Sequence, residues 1–367
     1  MIKIAYDYQA FTLQKYGGVS RYICALASEV AKNNNFDVKV YAGLYQNKYL
    51  DDYSNLSVKG WQVSNLPIPR RILDPINTQL NKLSFSIDCP DIVHETYYNP
   101  QITTLEKTSV VITLHDMIHE KFLNSSQYQD FIKDKASAIK RADRVICVSE
   151  NTRRDLLEIY NLDPEKAVTI YTGHSPLPVQ EIDTHPIVKD PYILYVGARS
   201  STYKNFNALL QAYSNSKELR SYFKLVCFGT EAFSSDEINN MKKMSIDVDR
   251  NVLHYSGSDS ILVNLYTNAS LFIYPSLYEG FGIPPLEAMS LNCPVACSNA
   301  SSIPEIVGDA GEYFNPHEVD SIMTAIENVV SSTEKSQELK EKGRERVKLF
   351  SWEKCADKTS VLYRSMS

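Results

Sequence analysis

The stretch Tyr274-Pro-Ser-Leu-Tyr-Glu279-Gly-Phe-Gly-Ile-Pro-Pro-Leu-Glu287 joins an apolar run to a helix entrance through a glycine-bearing loop. Leu271 to Tyr274 reads as a buried strand, and Pro284 and Pro285 suit the first turn of a helix continuing through Leu286, Met289 and Leu291. Glu279 then falls in the connecting loop and Glu287 in the first helical turn. Gly280 and Gly282 let the backbone come close to a ligand, and the amides at the helix start point outward with the positive end of the macrodipole. Polyhydroxylated, anionic ligands fit such a surface. The plainer reading leaves Glu287 as a complement to the helix dipole and Glu279 as a solvated loop residue.

Working outward, short Val/Ile/Tyr-rich runs alternate with amphipathic segments along the whole chain, the pattern of an α/β protein with parallel sheets covered on both faces. The first set comprises Ile2 to Tyr6, Val38 to Ala42, Asp91 to His94, Val110 to Leu114, Val145 to Val148 and Ala167 to Tyr171. A second set restarts at Tyr192 to Val196 and runs through Phe223 to Phe228, Val252 to Tyr255, Leu271 to Tyr274 and Pro294 to Cys297. Gly173 to Pro191, with four prolines and no clear periodicity, reads as the linker. The expected organisation is therefore two Rossmann-like, doubly wound domains, 1–185 and 186–350, followed by a C-terminal helix, 351–367. Ligands of doubly wound sheets bind outside the carboxyl ends of the strands, so the expected site is an interdomain cleft.

Composition bounds the function without choosing it. A chain of 367 residues exceeds one ordinary core, and 43% apolar residues can fill two. No stretch approaches membrane-spanning length. The opening Met1-Ile-Lys-Ile-Ala-Tyr-Asp7 lacks the apolar centre of a secretory signal, so a cytoplasmic protein is expected. Seven scattered cysteines without zinc spacing read as buried reduced thiols. A net charge of −6 with no basic half argues against nucleic acid as a partner.

Several other residues carry candidate chemistry. Arg199 and Lys204 lie in the loop Gly197-Ala-Arg199-Ser-Ser-Thr-Tyr-Lys204-Asn205, after the first strand of the second half, with Asn205 as the expected helix cap. Two cations at a strand end beside a helix start suit a diphosphate whose negative charge grows as it departs; singly, each is an ordinary surface charge. Gly17 and Gly18 precede the first helix, where they make a turn or offer amides to phosphate. His115, just past Val111-Ile-Thr-Leu114, is placed either to meet a sugar hydroxyl or to be satisfied locally. His115, His119 and Glu120 have metal-ligand spacing only in a helix, and the segment reads as loop; Asp247-Val-Asp249 reads as a solvated turn. No metal or cofactor is expected. Ser302-Ile-Pro-Glu305 matches a capping box.

Taken together these motifs resemble retaining glycosyltransferases of family four, which have the GT-B fold, and within them the mannosyltransferase-B-like branch that builds bacterial surface polysaccharides. The resemblance rests on Glu279 and Glu287 around Gly-Phe-Gly, on Gly197, Arg199, Lys204 and Asn205, on Tyr16-Gly-Gly-Val-Ser-Arg-Tyr22, on Thr113-Leu-His-Asp116 and on Ser301-Ser-Ile-Pro-Glu305. It implies that Glu287 holds the donor ribose, Arg199 and Lys204 the diphosphate, and Gly18 a phosphate oxygen. It further implies that Glu279 and the amides of Gly280, Phe281, Gly282 and Ile283 orient the donor sugar, with His115 touching it from the first domain. Arg199 stands two residues after Gly197, whereas many relatives carry arginine directly after the glycine, so its contact follows less closely than that of Lys204. The C-terminal segment from Trp352 is expected to cross back to the first domain.

The expected reaction is metal-independent, retaining transfer of a hexose, mannose from GDP-mannose, to a lipid-linked or oligosaccharide acceptor. The alternatives are a UDP-sugar donor, a nucleotide-sugar epimerase or phosphorylase, and a non-enzymatic sugar-nucleotide-binding protein. A peripheral membrane contact is expected from Leu66-Pro-Ile-Pro-Arg70-Arg71-Ile-Leu73 and from a basic face on Phe131 to Arg144, carrying Lys133, Lys135, Lys140, Arg141 and Arg144. The alternative there is an ordinary solvated helix.

Overall fold

The computed structural model describes residues 1–63, 68–101, 103–104, 106–123, 126–175, 177 and 185–367. Residues 176 and 178–184 of the expected linker, and Leu66 and Pro67 of the expected membrane segment, lie outside the described residues. The chain divides into two compact units, Met1–Gly173 with Phe350–Ser367, and His174–Leu349. The expected boundary at 185/186 thus falls later than the division at Gly173, and Phe350 joins the first unit.

In the first unit the strands are β1 (Ile2–Tyr6), β2 (Phe36–Tyr45), β3 (Ser57–Gln62), β4 (Ile92–Glu95), β5 (Ser109–Leu114), β6 (Arg144–Cys147) and β7 (Ala167–Thr169). Its first six helices are α1 (Gln9–Leu13), α2 (Gly18–Val30), α3 (Arg70–Asp88), α4 (Ile118–Lys121), α5 (Gln129–Arg141) and α6 (Glu150–Tyr160). The strands form one parallel sheet in the order β3-β2-β1-β4-β5-β6-β7. The second unit holds β8 (Tyr192–Val196), β9 (Lys224–Phe228), β10 (Val252–Tyr255), β11 (Leu271–Tyr274), β12 (Val295–Ser298) and β13 (Gly311–Phe314), ordered β10-β9-β8-β11-β12-β13 and again parallel. Its helices are α7 (Phe206–Asn215), α8 (Lys217–Tyr222), α9 (Ser235–Lys243), α10 (Asp259–Asn268), α11 (Ile283–Ser290), α12 (Ile303–Val307), α13 (Val319–Val330) and α14 (Thr333–Val347). The last helix, α15 (Trp352–Met366), packs along α2 in the first unit. Two doubly wound parallel sheets are the GT-B class expected from the sequence.

Central strands form where apolar runs can be covered on both faces: every residue of β11 and of β12 is buried. The two strands that the sequence pattern misses, β3 and β13, are both sheet edges. β3 reads Ser-Val-Lys-Gly-Trp-Gln and is exposed along most of its length, so it presents no apolar run. It exists because β2 offers it a ladder.

The expected basic face on α5 forms only in part: Lys133 and Lys140 are exposed, but Lys135 and Arg141 are engaged within the unit. Lys135 is 1% exposed, ion-paired to Glu120 at 3.0 Å and donating to the Asp116 carbonyl. Arg141 pairs with the buried Glu95 and donates to the carbonyls of Asn99 and Pro100. Burial raises the Glu95 carboxyl to about 7, with Arg141 opposing the rise. Both cations tie α5 to the loops beneath it instead of facing solvent. The segment carrying His119 and Glu120 is the short helix α4, not a loop. Glu120 is occupied by Lys135 and the Tyr160 hydroxyl, and His119 lies against the rings of Tyr128 and Phe131.

A buried chain of hydrogen bonds anchors α15. The Tyr363 hydroxyl meets Tyr6 Oη at 3.0 Å and His94 Nδ1 at 2.6 Å; His94 Nε2 meets Thr113 Oγ1 at 2.8 Å, and Thr113 donates to Tyr22 Oη. Burial lowers the His94 imidazole to about 3, which keeps it neutral, with one ring nitrogen donating and the other accepting. Tyr363→Phe strips a shared partner from Tyr6 and His94 and is expected to lower the stability of this unit by roughly 1–3 kcal/mol. Both tryptophans, Trp61 and Trp352, belong to this unit, so indole fluorescence during urea unfolding reports it separately. An unchanged midpoint would contradict the anchoring role.

Candidate functional site

The strand order of the second unit reverses between the neighbours β8 and β11, with β9 following on one side and β12 on the other, which in a doubly wound sheet sends the following helices to opposite faces. The loops leaving those two strands carry Lys204 and Glu279. They are tied by a backbone bond from the Leu277 amide to the Tyr203 carbonyl, 2.7 Å. Across this link Lys204 Nζ lies 2.7 Å from Glu279 Oε1, with side chains 15% and 11% exposed. The same ammonium lies over the rings of Tyr203 and Tyr274 at 5.4 and 5.5 Å. Burial raises the Tyr274 phenol, and the nearby Glu279 carboxylate adds to the rise.

The loop from Glu279 to Gly282 is held by two serines. Ser301 Oγ donates to the Glu279 carbonyl at 2.6 Å and accepts from the Glu279 amide at 3.0 Å. Ser302 Oγ lies 2.9 Å from the Glu279 carbonyl and 2.8 Å from that of Phe281. Ser302 therefore does not cap α12 as a capping box would; no side-chain cap bond is present there. Gly282 takes φ +115° at the N-cap of α11, a conformation side chains disfavour, and Ile283, Pro284 and Pro285 open the helix.

Glu287 is the fifth residue of α11, beyond the first turn expected from the sequence. It is 8% exposed and accepts from the Tyr266 hydroxyl at 3.3 Å. A buried, hydrogen-bonded carboxylate one turn into the helix is not a surface complement to the dipole.

Arg199 is engaged with its own unit. Its Nε donates to Glu237 at 2.8 Å, Nη2 donates to the Glu231 carbonyl at 2.6 Å, and the guanidinium stacks 4.5 Å from the Phe233 ring. Burial opposes ionisation of Glu237, but the Arg199 and Ser234 hydrogen bonds prevail and hold its carboxyl below the usual range. Arg199 thus braces the β8 loop against α9, whereas Lys204 faces the β11 loop. Asn205 occupies the N-cap position of α7 without capping it: its amide donates to the carbonyls of Pro275, 3.2 Å, and Pro316, 2.7 Å.

Gly17, Gly18 and His115 belong to the first unit. Gly17 is the N-cap of α2 and Gly18 its first residue, with open space where a Gly18 side chain would stand. The Gly17 carbonyl accepts from the Arg21 amide and Ser20 Oγ, both 3.0 Å. His115 follows β5, stands edge-on to Tyr22 at 5.0 Å, and is lowered to about 4 by burial, with Asp116 opposing. His115 Nε2 is buried without a hydrogen-bond partner, as are Tyr195 Oη, which borders Gly197, and Ser276 Oγ in the β11 loop. Among the described residues no cluster of His, Cys, Asp or Glu has a metal-holding arrangement.

Ser301, Ser302 and Asn205 hold the site without having been read as its parts. The Ser301-Ser-Ile-Pro-Glu305 motif signalled the two serines, but nothing local says that their hydroxyls reach back some twenty residues.

Two family models match the chain: "Glycosyltransferase Family 4" over residues 16–176 and "Glycosyl transferases group 1" over residues 178–346. O-antigen chain mannosyltransferase B of Escherichia coli is 32% identical over 245 residues, 63% of each chain. Serotype-specific mannosyltransferase WbdA of Escherichia coli is 28% identical over 244 residues, 63% of this chain and 30% of that protein. The chain matches less than two thirds of the length of these relatives. Among solved structures, sucrose-phosphate synthase of Thermosynechococcus elongatus superposes with a TM-score of 0.75 at 20% identity, covering 100% of this chain and 99% of that one, a likeness of fold.

Asn205 sits at φ +58°, where a Cβ costs roughly 1–2 kcal/mol unless the side chain compensates. Asn205→Ala and Asn205→Gly both lose the two carbonyl bonds. The alanine variant is therefore expected to melt below the glycine variant by the equivalent of about 1 kcal/mol in scanning calorimetry, and both below the parent. A glycine variant no more stable than the alanine one would remove the backbone argument.

Proposed function

Because this chain belongs to the family-four glycosyltransferases of the GT-B fold, we propose that it moves a hexose, mannose, from GDP-mannose to a lipid-linked or oligosaccharide acceptor of a bacterial surface polysaccharide. The observation that carries the reading is the Lys204–Glu279 pair between the two switch-point loops, the place where doubly wound sheets bind nucleotides. Mannose rests on the names of the two Escherichia coli relatives, and GDP on the expectation drawn from the sequence resemblance alone.

Breaking an anomeric bond leaves positive charge on the sugar and adds negative charge to the departing diphosphate. Lys204 supplies a preorganised cation for that charge, already desolvated and aimed by Tyr203, Tyr274 and Glu279. The amides from Gly280 to Ile283, at the start of α11, add donors at the positive end of a dipole. Glu279 positions the sugar through its carboxylate, and Glu287 holds ribose hydroxyls from the second turn of α11. Arg199, committed to Glu237, supports the loop from which Lys204 reaches the diphosphate. In the first unit, His115 Nε2 and the Gly18 amide are the groups that the sequence resemblance gives for a sugar hydroxyl and a phosphate oxygen. Burial favours neutral His115, so its contact is a hydrogen bond and not a charge. The reaction retains anomeric configuration and uses no metal ion.

Lys204→Ala is expected to lower kcat by roughly 10²- to 10³-fold, the usual loss when one donor to a developing oxyanion is removed. Full turnover with donor and a mannan-type acceptor would end the assignment. A thermal-shift series checks the donor separately, because a ligand that binds only the folded state raises stability with the logarithm of its concentration over Kd. GDP and GDP-mannose are expected to raise the melting temperature more than UDP and UDP-glucose at equal concentration; the reverse order would move the reading to a UDP-sugar donor.

A further inference from the structure

At the switch point of the second unit two buried hydroxyls have no hydrogen-bond partner among the described residues. Tyr195, the penultimate residue of β8, is 1% exposed with Oη unbonded, and Ser276, in the loop after β11, is 1% exposed with Oγ unbonded. A buried polar atom without a partner is destabilising and rare in folded proteins, so each one calls for a reason. The Tyr195 ring packs 5.0 Å from Phe206 in the apolar core of the unit, a task that phenylalanine would perform as well. The hydroxyl is the part without a use in the ligand-free protein.

Its place supplies one. A side chain at Gly197 would meet Tyr195 Oη at 3.4 Å and Lys204 Cδ at 3.9 Å, so the phenol and the lysine stem lie against the same glycine. The ammonium at the end of that stem is paired with Glu279 at 2.7 Å. Burial raises the Tyr195 phenol, with Cys227 and the Glu279 carboxylate adding to the rise, so the hydroxyl keeps its proton and remains a donor. Ser301 and Ser302 already serve the loop's own carbonyls, and the Asn205 amide those of Pro275 and Pro316.

We propose that Tyr195 is a positioning residue for the transfer: its hydroxyl donates to the Glu279 carboxylate once Lys204 leaves that carboxylate for the diphosphate. The inference rests on the reading of Lys204 given above. When Lys204 turns to the diphosphate, Glu279 loses its cation while its side chain is 11% exposed, and a buried charge stripped of its partner is costly. A donor held in reserve lets the lysine exchange partners without that cost. Ser276 rides on the same loop as the carboxylate, whereas Tyr195 stands on a strand and offers a fixed point. Because the unbonded hydroxyl raises the free energy of the ligand-free state and not of the bound one, its effect appears as affinity for the diphosphate.

The test compares the full-length parent, Tyr195→Phe, Glu279→Gln, the double variant and Lys204→Ala. Each is melted without ligand and titrated calorimetrically with GDP or UDP, whichever stabilises the parent more. Tyr195→Phe removes an unbonded hydroxyl and is expected to melt no lower than the parent without ligand. Its Kd for the nucleoside diphosphate is expected to rise roughly tenfold, the effect of losing one hydrogen bond to a charged group. In the Glu279→Gln background the same change is expected to move Kd by about twofold or less, because no freed charge awaits the bond.

A lower ligand-free melting temperature for Tyr195→Phe would show the hydroxyl to be bonded already, by a buried water for instance, and would overturn the proposal. Parent-like affinity of Tyr195→Phe, or the full loss repeated in the Glu279→Gln background, would overturn it as well. Should Glu279→Gln not fold, the two measurements on Tyr195→Phe decide. Lys204→Ala separates the two readings: weakened binding there with parent-like binding by Tyr195→Phe removes the exchange alone. Parent-like binding by Lys204→Ala, or a parent stabilised by neither nucleotide, removes the diphosphate reading and the exchange with it.

Discussion

Lys204 and Glu279, 2.7 Å apart and mostly withdrawn from water, form an ion pair that their own attraction does not justify. Taking two charges out of water costs about as much as bringing them together returns, so such a pair persists only where neighbouring groups complete its hydrogen bonding and fix its geometry. The second unit supplies that surrounding structure. Ser301 and Ser302 pin the backbone on either side of the carboxylate, the Leu277–Tyr203 bond joins the two loops, and Asn205 fastens the lysine loop to carbonyls of two other segments. Because the pair contributes little to stability, its use is positional: a cation held ready at the point where two strands diverge.

The first unit solves a related problem with neutral groups. Its C-terminal helix returns after some 175 intervening residues and is registered on the sheet by Tyr363, His94, Tyr6 and Thr113. A wholly apolar contact would hold α15 but would let it slide, whereas a chain of buried donors and acceptors is satisfied in one register only. Asn77 and Asn81 act likewise on α3, serving β2 backbone groups at a register shift that its neighbours do not complete. In both places polarity inside the unit specifies position.

Local order in the chain determined the alternation of apolar strands and amphipathic helices, and with it the class of fold. The glycine-flanked Glu279 loop, the double proline opening α11 and the Gly17-Gly18 start of α2 were equally readable, because each depends on backbone preferences that act within a few residues. What only the tertiary structure decided are the partners. Arg199 turns to Glu237 and not into the open, Lys135 and Arg141 turn inward, Ser302 reaches back to the Glu279 loop instead of capping its own helix, and β3 forms as an edge with no apolar run of its own. Each depends on a carbonyl, carboxylate or free strand edge supplied by a distant part of the chain, and a side chain's choice between solvent and such a partner is a long-range competition that residue spacing cannot express.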